Sequence, residues 1–195
     1  MRTASVTRRT GETCIELTLI IDGTGQMDGS TDIGFFDHML NALTKHAGFD
    51  LTLSCEGDLH IDDHHTVEDI GICFGQAFAS AMADKAGIQR FGNCYAPLDE
   101  ALARAVVDIS GRSYLAFDAP FSRSDIGTFS TEMVQEFFRA FTDNARITLH
   151  LALLSGTNAH HQVEAVFKAA ARALRQAVAV DPGRIGVIPS TKGVL

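Results

Sequence analysis

Apolar and polar positions alternate along TCIELTLIIDGTG, from Thr13, and the run is rich in β-branched residues before DGTG closes it. That pattern predicts a strand ending at a hairpin corner. The period then changes. Between Thr31 and His46, the residues Phe35, Met39, Leu40 and Leu43 recur at three- and four-residue steps, with Gly48 beyond them, which is the spacing of a helix and its stop. DLTLSCEG predicts another strand. From His64 the helical period returns through Val67, Ile70, Phe74, Phe78, Ala81 and Met82, closing near Gly87.

The second half of the chain repeats this order. ALARAVVDISGRSYLAFDA predicts two strands joined at SGRS, Phe129 to Asn144 a helix carrying Met133, Phe137, Phe138 and Phe141, ARITLHLALLSG a strand, and His160 to Val178 a last helix. Asp32, Ile33, Gly34 and Asp125, Ile126, Gly127 precede the first helix of each half at matching places. The chain therefore predicts an α+β fold of two duplicated ββαβα half-domains, each a small mixed sheet with its two helices on one face. The halves are 1–91 and 92–180, packed into one compact domain, and the proline- and glycine-punctuated 181–195 forms a loop tail.

The bulk numbers narrow the function classes. A chain of 195 residues with 46% hydrophobic content can bury a full core. Its apolar runs fall short of the roughly 20 residues a bilayer span needs, and the amino-terminal segment lacks the apolar centre of an export signal, so no membrane association and a cytoplasmic location are expected. A formal charge of −8 argues against nucleic acid as a partner. Cys14, Cys55, Cys73 and Cys94 form no CxxC pair, which leaves free thiols as the expectation.

Chemistry enters through a motif written twice. His64, His65 and Glu68 form HHxxE, and so do His160, His161 and Glu164, about half a chain length later. Imidazole and carboxylate are ligands for divalent transition metals. On a helix, residues four apart share a face while neighbours diverge by about 100°. His64 with Glu68, and His160 with Glu164, can each chelate one ion. His65 and His161 then point elsewhere, and the economical arrangement has each reach the ion held by the other repeat. A fourth ligand per half is available from the first helix of that half, His38 in GFFDHML and Glu136 in MVQEFF. His46, His60 and His150 suit supporting or structural roles, with His60 beside Asp62 and Asp63 able to orient a ligand imidazole.

A second group of residues can hold an anion. PSTKG places Ser190 and Lys192 in a loop suited to phosphate, Arg90 in GIQRFG and Arg112 in SGRSY occupy loop corners, and Lys168 follows Glu164 by one helical turn. A dimetal centre with an anion-binding rim implies a small phosphorylated metabolite with a metal-binding head.

GFFDHML, HIDDHHTVED, GIQRFG, APLDEAL, NAHHQVEAVFKA and PSTKG, in this order and spanning nearly the whole chain, resemble the imidazoleglycerol-phosphate dehydratase family of histidine biosynthesis. The resemblance implies a hydro-lyase that converts imidazole glycerol phosphate to imidazole acetol phosphate and water. It also implies two Mn²⁺ per active site, a homo-oligomer of 24 subunits with sites between subunits, and half-domains similar to the second domain of ribosomal protein S5. Carried over by residue, the metal ligands are His38, His64, His65, Glu68, Glu136, His160, His161 and Glu164. Glu136 stands where the family pattern usually has histidine, an exchange that suits a hard ion and lowers the site's charge. The phosphate-gripping residues are Arg90, Arg112, Lys168, Ser190 and Lys192, and Glu12 is a substrate-facing acid. The proton to be removed has no carbonyl beside it, so two ring-bound cations that stabilise an imidazolate would supply the acidity, with Glu12, Glu164 or Glu68 moving protons. Two rivals share the residue set: a dimetal phosphoesterase, and a non-catalytic metal-binding assembly protein.

Overall fold

A computed structural model describes the whole chain, Met1–Leu195. The first half runs β1 (Thr3–Arg9), β2 (Thr13–Ile20), β3 (Met27–Ser30), α1 (Gly34–Ala47), β4 (Asp50–Gly57) and α2 (His64–Met82). The second runs β5 (Phe91–Leu98), β6 (Ala101–Asp108), β7 (Tyr114–Asp118), a two-residue ladder of β8 (Asp125–Ile126) with β9 (Phe129–Ser130), then α3 (Met133–Ala145), β10 (Thr148–Ser155) and α4 (Ala159–Val178). The four-stranded sheets have equivalent orders, β1-β2-β4-β3 and β5-β6-β10-β7, so the α+β duplication is present in the topology itself.

Each four-stranded sheet takes three strands from before its half's first helix where the apolar pattern predicts two. The extra strand is β1 or β5. The half-buried face of β1 carries only two apolar residues, Ala4 and Val6, followed by Arg8, too short a run to mark a strand, and its register with β2 comes from pairing such as Val6 with Leu17. The turn chemistry also means something different from the expectation. DGTG does not join neighbours in a sheet, because β2 lies between β1 and β4 while β3 runs parallel to β4. SGRS likewise links β6 to β7, yet β10 is inserted between them. A parallel pair needs a crossover, and α1 and α3 supply it.

The helices hold their expected apolar faces. Phe36, Met39, Leu40 and Leu43 of α1 are buried, and Gly48 stops that helix in the left-handed region (φ 76°), its amide bonded to the Thr44 carbonyl. Two residues depart from the expectation: Phe35 is only half-buried, Phe36 taking its place in the core, and Phe129 belongs to β9 rather than to α3. There it is fully buried and stacks on Phe36, ring centroids 5.7 Å apart.

Helices α1 and α2 cover one sheet, α3 and α4 the other, and the two layers meet as α2 on α3 and α1 on α4. A single apolar core follows, with Phe74 against Phe141 (5.4 Å) and Phe36 against Phe137 (5.4 Å) linking the halves. Two glycines set the α2–α3 distance. A Cβ on Gly71 would stand 2.8 Å from the Phe137 carbonyl oxygen, and one on Gly75 2.6 Å from that of Phe141, so no larger residue permits this approach. No helix is long and apolar enough to cross a membrane.

Candidate metal centres

Because α1 lies on α4 and α3 on α2, each first-helix ligand candidate meets the HHxxE pair of the opposite half. His38, His160 and Glu164 bring ligand atoms within 4.8 Å of one another, and so do His64, Glu68 and Glu136. The sequence grouped His38 and Glu136 with the pairs of their own halves; helix packing exchanges them. The donor types and spacing in both trios fit a divalent transition ion.

The first trio centres on Glu164. Its Oε2 lies 3.2 Å from Nε2 of His38 and 3.0 Å from Nε2 of His160, while Oε1 accepts from Lys168 Nζ at 2.7 Å. Burial opposes ionisation of this carboxyl, but the hydrogen bond and charge of Lys168, together with His38, outweigh it and hold Glu164 below the usual carboxylate range. Phe35 packs its ring edge 5.1 Å from His160 and walls one side. In the second trio, Nε2 of His64 and Oε2 of Glu68 are 3.9 Å apart, and Glu136 pairs with Arg139 one turn along α3.

Helix starts fix the histidine backbones. The Asn158 side chain caps α4, accepting the amides of His160 and His161 at 2.9 and 3.3 Å. Asp62 accepts the His64 amide at 2.9 Å.

His65 and His161 join neither trio of the same chain. The expected reach to the other repeat's ion therefore does not occur within one chain, since each ring follows its own helix face outward. Instead each is fixed by a carboxylate at Nδ1. Asp58 lies 3.0 Å from Nδ1 of His65, and Glu100 2.8 Å from Nδ1 of His161. The Asp58 bond raises the His65 pKa and the Glu100 bond that of His161, while the His161 partnership and the Thr157 and Asn158 amides take Glu100 down to about 2. A carboxylate on Nδ1 leaves Nε2 facing outward, the state a ligand imidazole needs. Nε2 of His65 has Glu12 Oε1 at 3.7 Å, and Nε2 of His161 has Asp99 at 3.9 Å.

Sequence reasoning missed Asp58 and Glu100 and offered His60 for this work. Repeat symmetry could not reveal them, because Asp58 follows β4 directly, in the loop that leads to α2, whereas Glu100 comes from the β5–β6 turn. The available signal was their presence inside HIDDHH's approach and APLDEAL. A buried pair at Asp69 was missed too: Arg8 reaches its Oδ1 at 2.9 Å and Thr13 donates to Oδ2 at 2.5 Å, anchoring the turn that carries Glu12.

The anion-binding candidates fall in two places. Arg90 lines a cleft with Arg184, Pro189 and Ser190 at the start of the tail, and Arg112 is exposed nearby, its guanidinium 3.9 Å from Asp108. Lys192 follows in the same tail, its amide bonded to Ser190 Oγ at 3.2 Å. Lys168 lies apart, on Glu164 and in a cleft with His46, Tyr95 and Arg172. Burial, then Lys168 and Arg172, lower the His46 pKa. His150 of β10 faces the ring of Tyr114 on the neighbouring strand β7 of the same sheet.

Comparison with known proteins agrees across the chain. Residues 31–174 match the family model described as imidazoleglycerol-phosphate dehydratase. The chain is 62% identical over 194 residues to a protein of that name from Gluconobacter oxydans, covering 100% of this chain and 98% of the relative, and 60% identical to one from Acidiphilium cryptum, covering 100% and 99%. It is similar to the crystal structure of imidazoleglycerol-phosphate dehydratase from Staphylococcus aureus, with TM-score 0.84 and 43% identity over 92% of this chain and 99% of that one. A Pyrococcus furiosus structure in complex with (S)-C348 gives TM-score 0.83 and 36% identity over 97% and 100%.

Proposed function

Since the chain belongs to the imidazoleglycerol-phosphate dehydratase family and is thereby a hydro-lyase of histidine biosynthesis, we propose that its two trios each hold one Mn²⁺ and that its active sites form between subunits. Family membership sets aside the phosphoesterase and the non-catalytic assembly protein. The observation that carries the proposal is the division of ligands within one chain: two complete trios, and two histidines held outward by Asp58 and Glu100 with no trio of their own. A second copy is the economical source of the ion each outward Nε2 would bind. The separation of Lys168 from Arg90, Ser190 and Lys192 supports the same reading, because one small phosphorylated imidazole could engage both groups only where copies meet.

Mn²⁺ bound to both trios would act as a Lewis acid on the ring nitrogens of the substrate. The chain's own residues do the rest. Arg112, Lys192 and Ser190 would bind the phosphate, and Lys168 holds Glu164 so that its other oxygen is turned toward His38 and His160. Of the three carboxylates named from the sequence, Glu164 is engaged by Lys168 and two imidazoles and Glu68 stands in a trio. Glu12 is exposed on its turn with only His65 near its carboxylate. We assign Glu12 the proton transfer: its carboxylate accepts the proton from substrate carbon and returns it to the departing hydroxyl, which leaves as water. Glu12 thus ends ionised as it began, and the resulting enol moves its hydroxyl proton to carbon through solvent to give the ketone.

Incubation of the Mn²⁺-loaded protein with imidazole glycerol phosphate tests this. The expected product is an enolisable ketone that retains phosphate, with about two Mn²⁺ bound per chain; full activity in protein without bound transition ions overturns the metal assignment. We further propose a 24-subunit assembly in the cytoplasm, linked by shared ions. Light scattering should then show dissociation on chelation, and unchanged mass with EDTA would count against the shared-ion linkage.

A further inference from the structure

The candidate phosphate-binding residues converge on an acid that none of the motifs assigned. Asp108, the last residue of β6, takes Arg90 in a two-point fork, Nε to Oδ1 at 2.7 Å and the second guanidinium nitrogen to Oδ2 at 3.2 Å. The remaining terminal nitrogen of Arg90 donates to the Pro189 carbonyl at 2.9 Å, one residue before Ser190. The pair is sheltered, with side chains 15% and 20% exposed, which strengthens a charge-assisted fork. Arg112, at 69% exposed, reaches the same Asp108 only at 3.9 Å and donates once, from one terminal nitrogen to the Ser110 carbonyl at 3.4 Å, so its other donors stay free. The backbone of Arg90 is held as firmly as its side chain. It occupies the left-handed region (φ 70°), disfavoured for any residue with a Cβ, and is pinned by its amide to the Ala177 carbonyl at the end of α4 and by its carbonyl to the Ile109 amide.

We propose that Asp108 is a positioning residue for the substrate phosphate: through Arg90 it seats the tail bearing Ser190 and Lys192, and it leaves Arg112 free to close on the anion. The inference rests on the phosphate reading above. Three of Arg90's five N–H groups are committed to Asp108 and Pro189, so its main work is to hold the tail. A carboxylate beside a phosphate site has a cost, since it repels the ligand. That cost gives the experiment a sign: if Asp108 were only a neighbouring charge, neutralising it would tighten phosphate binding, whereas loss of the fork weakens it.

The test is steady-state kinetics of full-length, Mn²⁺-loaded Asp108→Asn with imidazole glycerol phosphate, beside inhibition by free imidazole, which engages only the metal end. The expected result is a KM raised about tenfold or more, kcat within about threefold, and an unchanged imidazole inhibition constant. An unchanged or lowered KM, or a fall in kcat at constant KM, overturns it. Asp108→Glu should recover part of the lost KM because it keeps the charge. If Asp108→Asn does not fold, Asp108→Glu alone decides, since its longer side chain displaces the fork and must raise KM; no change there overturns the proposal. Arg112→Ala and Lys192→Ala separate the two readings. If neither alters KM, the phosphate reading itself fails, and if both raise KM while Asp108→Asn does not, only the role of Asp108 fails.

Discussion

The trio on α1 and α4 and the trio on α2 and α3 come from the same repeat, yet they are chemically unequal. One offers two imidazoles and one carboxylate, with Lys168 on the carboxylate's spare oxygen. The other offers one imidazole and two carboxylates, with Arg139 on Glu136. The helix contacts differ as well: Gly71 and Gly75 let α2 and α3 approach closely, while the matching α4 positions hold Phe167 and Ala171, both fully buried. Duplication thus set where the candidate ligands stand without fixing what they are. Softer nitrogen-rich and harder oxygen-rich sites should then sort ions differently, the first holding borderline metals such as Zn²⁺ or Co²⁺ more tightly and the second suiting Mn²⁺ or Mg²⁺.

The largest expected effect comes from Glu164→Gln. It removes the group on which His38, His160 and Lys168 converge, so ion binding at that trio should fall by more than the roughly 10–100-fold typical of outer-shell changes, with activity following. Calorimetric titration with Mn²⁺ should show one class of sites lost and the other kept, and loss of both classes would mean the trios are not separable. Glu100→Gln comes next, weakening metal binding by roughly 10–100-fold through a misaligned His161 ring. Asp58→Asn should do the same through His65. If the two substitutions leave both titration classes intact, the outward histidines bind no ion.

Gly71→Ala acts through packing. Its new methyl would press on the Phe137 carbonyl, costing about 1–3 kcal/mol of stability in thermal or denaturant unfolding. It should also drive Glu136 away from His64 and Glu68, lowering affinity at the second trio alone; an equal loss at both would show that the α2–α3 contact does not set the ligand distance. The smallest effect is expected from Glu136→His, which makes the two trios alike. Competition between Mn²⁺ and Zn²⁺ should then shift toward Zn²⁺ by about tenfold at one site, and an unchanged preference would remove the chemical contrast between the trios.

Much of the molecule was legible before any coordinates. The helices appear where three- and four-residue spacing put them because burial of one face is what makes such a segment helical, and Phe137, Phe138 and Phe141 are core residues as their positions implied. Both chelating pairs were legible for the same reason, since the i, i+4 relation is a property of a helix alone. Edge strand β1 was not, because its half-buried face offers only Ala4 and Val6 before Arg8, too weak an apolar signature to read. The central placement of β4 and β10 was not either, because sheet order depends on which strands meet in space rather than on which are consecutive.

The sequence by itself therefore determined the duplicated plan, the helices that carry the two HHxxE motifs and the family, since these follow from local periodicity and from long motifs in a fixed order. Only the tertiary structure decided that His38 serves the second half's pair and Glu136 the first half's, that Asp58 and Glu100 aim His65 and His161 outward, and that Asp108 holds Arg90 to the tail. These are contacts between residues far apart along the chain, and they are fixed by how helices and sheets pack against one another, which no local pattern of residues encodes.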